Sequence, residues 1–374
     1  MDFVGPVLYI GIAQSFFAGI LLATRRPFTI ANRIMTTWVF LFCIEMVFAL
    51  INRTVLEMYS FPFIAFTYGP LLLMYVRHMT NPALHFSPWN LLHFIPFAVF
   101  FAVSVIFRDK PIFDDLSGFF VTDRFISLRI VYSVCFMLSV TAYSVLSFIK
   151  IRQHQARLRD YVSYTSVRMT LNWLKILSIS FYTGYVLVFI LGGIDILAGL
   201  LHFDPYVLAF VLITLFSFAY SFYAIRQPEI LSFQAPAAEE DYPDHNGQGK
   251  YARSGLREEQ ADEYLTRLLK YMDDEKPYLD GNLTINDLSR KTGIPRHYIT
   301  EVLNEKHGRN FFTFINEYRV REAISRINDP RYQHYTILAI AFDSGFNSKS
   351  TFNTFFKSYT GKTPSEYRSQ LMTP

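Results

Sequence analysis

Apolar residues run almost without a break from the N-terminus to about Arg226, and this run constrains the fold more than any other feature of the 374-residue chain. A helix that spans a bilayer needs about 20 mostly apolar residues. Segments of this kind lie at roughly 3–23, 35–52, 61–79, 90–107, 126–148, 172–200 and 204–225. The sequence therefore predicts an all-α fold that begins with a seven-helix transmembrane bundle in residues 1–228. If the short stretch around Pro205 fails to turn, six spans remain.

Basic residues in the short loops predict the orientation of this bundle, because loops rich in Lys and Arg stay in the cytoplasm. The first, third and fifth loops carry the excess: Arg25, Arg26, Arg33, Arg77, Lys150, Arg152, Arg157, Arg159 and Arg168. We therefore expect a multi-pass protein of the bacterial inner (plasma) membrane, with its N-terminus outside and its C-terminal domain in the cytoplasm. No basic n-region or cleavage site precedes the first apolar run, so the first helix is expected to remain.

Ionisable side chains inside the predicted spans are costly and mark candidate functional sites. Glu45, Arg129 and Asp195 are such residues, and Arg53 lies at the same outward edge of the bilayer. They predict either a signal pocket that opens to the periplasm or a set of interhelical ion pairs and solvated helix ends. The sequence does not choose between these two interpretations.

Motifs of enzyme chemistry are missing from the apolar half. Cys43 and Cys135 both lie in apolar runs, so we predict neither a disulfide framework nor a cysteine-rich metal site. This half has no pair of His at metal-ligand spacing, no nucleophile motif and no glycine-rich phosphate loop. We therefore expect no enzymatic activity, no metal and no cofactor.

Some residues of the apolar half are predicted to serve packing and anchoring. Gly192 and Gly193 are small enough to let helices approach closely. Aromatic residues near span ends are typical of anchors at the membrane interface. These are Tyr9, Trp38, Trp89 and Trp173.

Residues 229–255 separate the apolar half from the rest of the chain and contain Pro, Gly and acidic residues without a periodic apolar pattern. We predict a flexible acidic linker that acts as a tether. Residues 256–374 form the predicted C-terminal domain.

The C-terminal domain contains a first predicted helix-turn-helix. A supporting helix starts near Leu256 and ends before Pro277. Thr284 then begins a short helix, Gly293 makes the turn, and Pro295 begins a second helix. In a helix-turn-helix, the second helix lies in the major groove of DNA.

The same pattern recurs nearer the C-terminus. Thr336 begins a short helix, Gly345 makes the turn, and Ser348 caps a second helix. A long amphipathic helix over residues 311–327 joins the two motifs. We expect it to place two recognition helices in successive major-groove turns, about 34 Å apart.

Three stretches of this domain closely resemble the AraC/XylS family of regulators. They are LTINDLSRKTGI at 283–294, FINEYRVREA at 314–323 and ILAIAFDSGFNSKSTFNTFFKSYTGKTPSEYR at 337–368. The resemblance covers about a hundred residues and implies an all-helical double helix-turn-helix that binds promoter DNA. The better-known members carry a soluble sugar-binding domain, which is missing from this sequence.

The outward faces of the two recognition helices supply the candidate DNA-binding residues. On the first they are Arg296, His297, Thr300 and Glu301, and on the second Ser348, Lys349, Ser350, Thr351, Asn353 and Lys357. Arg or Lys can donate to guanine, Asn can pair with adenine, and Ser or Thr can bind base edges or phosphates. Glu301 stands where many relatives have a basic residue, and its carboxylate can accept from cytosine. Arg319 and Arg321 are expected to be structural or solvated, and Lys362 and Arg368 to contact phosphates.

These observations predict a membrane-tethered transcription regulator, a one-component sensor whose bundle receives a small-molecule or membrane signal. Its expected partners are double-stranded promoter DNA, the lipid bilayer and a second copy of the chain, whose proximity the bundle would control. One alternative is a transporter or membrane enzyme with an appended regulatory DNA-binding domain. Another is a bundle that only anchors the regulator.

Overall fold

The computed structural model describes residues 4–26, 28–52, 62–81, 84–107, 124–164, 170–198, 205–226 and 256–372. Within these ranges the regular elements are helical, and one isolated antiparallel bridge joins Val162 to Thr284. The chain divides into two compact units. Unit 1 comprises Met1–Arg152 and Leu171–Glu239, and unit 2 comprises Gln153–Thr170 and Glu240–Pro374. The predicted linker at 229–255 lies outside the described residues.

Unit 1 is built from seven α-helices in its described part. They are α1 (Val4–Thr24), α2 (Ile30–Ile51), α3 (Tyr68–Thr80), α4 (Ile95–Ile106), α5 (Ile126–Tyr161), α6 (Asn172–Ala198) and α7 (Pro205–Arg226). Helix α1 packs against α2 and α7, while α6 packs against α7. Two 3₁₀ turns, Phe63–Thr67 and Pro88–Phe94, lead into α3 and α4.

Five helical stretches in the described part of the chain are long and apolar enough to cross a membrane, not clearly the seven that the sequence predicts. They are Val4–Thr24, Ile30–Ile51, Pro88–Ile106, Ile126–Tyr161 and Asn172–Ile194. The predicted third span is not among these five: α3 has 13 residues and carries Arg77 and His78 in its last turn. Its residues from Tyr68 to Val76 are all buried inside unit 1 rather than facing outward. In the predicted seventh span, the described apolar helix is the shorter Val207–Tyr223.

The outer surface of unit 1 is strongly apolar. Phe17, Leu138 and Ile176 are 60%, 65% and 61% exposed, and many other large apolar side chains on these helices also face outward. Water penalises such a continuous apolar surface, whereas lipid accepts it. The five long helices could therefore span a membrane.

The interior of unit 1 is aromatic. Trp38 is fully buried, and its ring centroid lies 4.8 Å from that of Tyr220 and 6.1 Å from that of Phe181. The interpretation of Trp38 and Trp173 as interfacial anchors is therefore wrong, because both rings are buried among helices. Tyr9 and Trp89 are exposed, so they remain candidate anchors.

Glycines bring the helices of unit 1 close together, and Gly11 and Gly69 are two such positions that were not predicted. A Cβ on Gly11 would collide with Met46 of α2 and Thr214 of α7, and one on Gly69 would lie 2.7 Å from the Tyr143 ring. At Gly193, by contrast, a Cβ would meet nothing within 4 Å. The prediction of close packing at Gly193 is therefore wrong.

Unit 2 contains the predicted C-terminal domain. Its α-helices are α8 (Glu258–Glu275), α9 (Ile285–Thr292), α10 (Arg296–Glu305), α11 (Phe311–Asn328), α12 (Ile337–Asp343), α13 (Lys349–Thr360) and α14 (Pro364–Met372). Helices α9 and α10 form one helix-turn-helix, and α12 and α13 form the other. The first half of α11 packs in the core of the first motif through Phe311 and Phe314, and the second half in that of the second through Val320 and Ala323. Helix α11 is thus shared by both motifs.

Local sequence signals set the ends of these helices. The Thr284 hydroxyl accepts from the Asp287 amide, and the Asp287 carboxylate accepts from the Thr284 amide at 3.0 Å, which completes a capping box at α9. Thr336 and Ser348 cap α12 and α13 in the same way with their hydroxyls. Each motif begins at a residue whose side chain satisfies the first free amides of a helix.

Candidate nucleic-acid interface

Helix α10 has one buried and one outward face. Ile299, Val302 and Leu303 are at most 1% exposed and fix the helix in the core of the first motif. The outward stripe contains the four residues that the sequence singles out. His297 is exposed, whereas Arg296, Thr300 and Glu301 are half-buried. The Thr300 hydroxyl donates to the Arg296 carbonyl oxygen at 3.1 Å, so it is partly committed to its own helix.

Helix α13 repeats this division. Phe352 and Phe356 are buried against α11, while Lys349, Ser350, Asn353 and Lys357 are exposed along the opposite side. Thr351 is half-buried. The Ser348 hydroxyl accepts from the Thr351 amide at 3.4 Å, so Ser348 acts as the helix cap. The four exposed side chains supply two cationic groups, a hydroxyl and an amide on one helical surface.

Two exposed residues on these faces are not among the DNA-binding residues predicted from the sequence. Asn304 lies on α10 seven residues after His297, and Thr354 lies on α13 four residues after Ser350. Residues at intervals of three, four and seven share a helix face. Extending the predicted stripe by one turn would have included Asn304.

The buried residue Arg319 of α11 ties the first motif together. It is 1% exposed, and its Nε donates to the Tyr278 carbonyl at 2.8 Å while Nη2 donates to the Asp280 carbonyl at 2.7 Å. Burial lowers the pKa of Arg319 to about 10, partly offset by the charge of Asp280, so the guanidinium is still protonated at neutral pH. The expectation that Arg319 is structural is confirmed.

A second polar cluster joins α11 to the segment after α8. Glu322 accepts from Arg326 at 2.9 Å and from Lys276 and Tyr278 at 3.4 Å each. Burial by itself raises the pKa of Glu322, but the hydrogen bond from Arg326 and the charge of Lys276 outweigh it and hold the pKa below its usual range. Burial, together with the charge of Glu322, raises the pKa of Tyr278 to about 12. Glu322 is therefore an ionised link between these elements.

The turn of the second motif sits against the first. Gly345 has φ of +92°, and a Cβ there would collide with the Tyr278 carbonyl oxygen. The neighbouring Asn347 donates from Nδ2 to the Gly281 carbonyl at 2.8 Å. These contacts help to fix the two recognition helices relative to each other.

Two further basic residues have different partners from those expected. Arg368 donates to the carbonyls of Tyr332, Gln333 and Tyr335 at 2.6 to 3.0 Å, which makes it a structural residue. Lys362 is exposed and contacts the Gln370 side-chain oxygen. Of this pair, Lys362 is therefore the better candidate for a phosphate contact.

Comparison with known proteins agrees with this geometry. Residues 288–370 match the protein family described as "Helix-turn-helix domain". The chain carries a helix-turn-helix domain of the AraC type.

The similar proteins share this domain rather than the whole chain. Over 87 residues the chain is 32% identical to an uncharacterised HTH-type transcriptional regulator of Staphylococcus aureus, covering 23% of the chain and 11% of that protein. Over 91 residues it is 24% identical to the Msm operon regulatory protein of Streptococcus mutans, covering 24% and 32%. Over 108 residues it is 23% identical to the probable transcription factor PqrA of Proteus vulgaris, covering 29% and 85%. The chain thus spans about a tenth and about a third of the length of the first two. No solved structure matches it significantly.

Of the four residues of the predicted signal pocket, the structure describes the side chains of two. Glu45 is 7% exposed and Arg129 is 1% exposed, so both are buried in unit 1. The Glu45 carboxylate accepts a hydrogen bond from the Tyr68 hydroxyl, and the Tyr68 ring packs 4.8 Å from that of Phe42. Arg53 and the side chain of Asp195 lie outside the described residues. Glu45 is therefore a buried polar residue in an aromatic interior, and its Tyr68 partner was not foreseen.

The described ranges contain no candidate metal centre. No group of three or more His, Cys, Asp or Glu side chains there is arranged to hold an ion. Cys43 and Cys135 are free thiols.

Proposed function

We propose that this protein is a membrane-tethered, sequence-specific DNA-binding transcription regulator. The observation that carries the proposal is the pair of outward polar faces on α10 and α13, held by the shared helix α11 in an AraC-type domain. Two such helices suit a DNA site with two half-sites about one helical turn apart. The names of the Streptococcus mutans and Proteus vulgaris relatives, a regulatory protein and a probable transcription factor, support this function.

The membrane part of the proposal rests on the apolar surface of unit 1. Five stretches there are long and apolar enough to cross a bilayer, and the basic first, third and fifth loops support a cytoplasmic location for the AraC-type domain. In this proposal unit 1 receives a small-molecule or membrane signal, with Glu45, Arg53, Arg129 and Asp195 as the candidate signal residues. A homodimer would bind DNA more strongly than one copy.

A selection experiment tests this function. The full chain is reconstituted in lipid nanodiscs and mixed with fragments of the genomic DNA of its source at moderate salt, and the retained fragments are sequenced. We expect a shared motif with two half-sites. The variant Asn353→Ala should relax selection at one position of the motif, whereas Lys270→Ala, which changes an exposed residue of α8 outside both motifs, should leave the motif unchanged. Retention without any motif, vanishing as salt rises, would show only non-specific phosphate binding and would contradict the proposal.

A further inference from the structure

The C-terminal end of α5 and the residues directly after it pack in unit 2, against the AraC-type domain. Helix α5 is continuous from Ile126 to Tyr161, yet it belongs to unit 1 as far as Arg152 and to unit 2 from Gln153. We call Tyr161, Val162 and Ser163 the docking segment. Val162 is 1% exposed and Ser163 is 0% exposed, so this stretch of a predicted cytoplasmic loop is buried.

Ser163 makes hydrogen bonds through its backbone and its side chain. Its amide and its hydroxyl both donate to the Leu283 carbonyl, at 3.2 and 2.7 Å. Its carbonyl accepts from Asn316 Nδ2 at 3.1 Å and from Arg319 Nη1 at 2.7 Å, and its hydroxyl accepts from Arg319 Nη2 at 2.9 Å. Asn316 and Arg319 are themselves buried. Polar groups at this depth need partners, so the docking segment completes the hydrogen bonding of the first motif.

The other two residues of the docking segment lie beside the starts of the two helices of the first motif. Val162 pairs with Thr284, the cap of α9. Tyr161 packs against the core of the first motif, and the Arg296 guanidinium lies over its ring at 5.9 Å. Arg296 begins the recognition helix. The start of each helix of the motif therefore has a docking-segment residue next to it.

Helix α5 gives the docking segment a direct covalent connection to unit 1. The route from unit 1 to Tyr161 is one continuous helix. The segment 229–255 is not part of this route. Coupling between unit 1 and the first motif therefore does not require a stiff linker.

We propose that the docking segment inhibits DNA binding by the first motif, and that a signal-dependent shift of α5 releases it. In the docked state Tyr161 holds Arg296 against its ring, and Val162 occupies the edge of α9 at Thr284. Release frees Arg296 and the start of α9 for DNA. This inference rests on the proposed function, since it concerns the regulation of the same DNA-binding face.

The test compares two variants of the full chain in nanodiscs. Val162→Asp places a charge at a buried position of the docking segment, whereas Ala156→Asp adds the same charge at an exposed position of α5. Both change the net charge of the chain equally. Affinity is measured for a duplex that carries the selected motif, and hydrogen exchange of the Ser163 amide reports docking.

We expect Val162→Asp to expose the Ser163 amide and to bind the duplex about tenfold more tightly. This is the gain expected if the released, binding-competent state makes up about 10% of the unmodified chain. Ala156→Asp should behave like the unmodified chain. Because a buried aspartate can unfold a domain, Tyr161→Ala is a second test. It removes the ring beside Arg296 without burying a charge, and like Val162→Asp it should tighten binding to the duplex.

The possible failures are distinguishable. If all the proteins bind the duplex equally, or if both Val162→Asp and Tyr161→Ala bind it more weakly, the inhibition is overturned while the proposed function stands. An unprotected Ser163 amide in the unmodified chain also overturns the inhibition. If none of the proteins binds any genomic DNA selectively, the proposed function fails, and this inference fails with it.

Discussion

Replacing Arg319 tests how a single buried side chain supports the first motif. Arg319→Ala leaves the carbonyls of Tyr278, Asp280 and Ser163 without their charged donor, so we expect the free energy of unfolding to fall by about 3 kcal/mol. Hydrogen exchange of the α11 amides in the nanodisc-reconstituted chain measures this change.

The neighbouring Arg321 provides the matched control for this prediction. It is exposed and lies over the Tyr318 ring at 4.0 Å, a cation–π contact that contributes about 0.5–1 kcal/mol. Arg321→Ala should therefore reduce protection of α11 far less. Equal losses for the two variants would show that Arg319 is not the link we describe.

Asn353 and Lys357 are predicted to act differently on DNA although both are exposed on α13. An Asn that reads a base contributes about 1–3 kcal/mol of discrimination, so Asn353→Ala should weaken binding to the selected motif and leave non-specific binding unchanged. Lys357→Ala should weaken binding to all sequences and reduce the slope of log K against log salt by about 1. Titration at several salt concentrations separates these two effects, and a uniform loss for Asn353→Ala would exclude base reading.

The two turn glycines form a matched pair at the level of the helix-turn-helix. Both have positive φ, +68° at Gly293 and +92° at Gly345, which costs a residue with a Cβ about 1–2 kcal/mol. A Cβ on Gly293 meets nothing within 4 Å, whereas one on Gly345 collides with the Tyr278 carbonyl. We expect Gly345→Ala to destabilise unit 2 clearly more than Gly293→Ala in thermal unfolding. The reverse order would contradict the contact between the second motif and the segment after α8.

Elements with local signals could be predicted from the sequence. The caps Thr284 and Ser348 bind partners within three residues of them in the chain. The helices that they begin therefore lie where the sequence predicts them. The short α3 and the buried Trp38 depend on packing with distant helices, which hydropathy does not report. Ser163 is the clearest example, because its partners Leu283 and Arg319 are more than a hundred residues away.

The orientation of the whole molecule gives a prediction that does not depend on DNA. If the AraC-type domain is cytoplasmic, protease added to inverted inner-membrane vesicles should release it, and protease added to right-side-out vesicles should not. An antibody against an epitope tag at the C-terminus detects the fragment. Release from right-side-out vesicles would reverse the topology that the loop charges predict.

A single measurement tests whether one molecule is both held in the membrane and bound to specific DNA. Cells are treated with a protein–DNA cross-linker, membranes are separated from the soluble fraction, and DNA attached to the tagged protein is sequenced from both. We predict that the membrane fraction yields promoter fragments sharing a motif with two half-sites about one helical turn apart. Recovery of the protein from the soluble fraction, or of membrane-bound protein with DNA of no common motif, would contradict it.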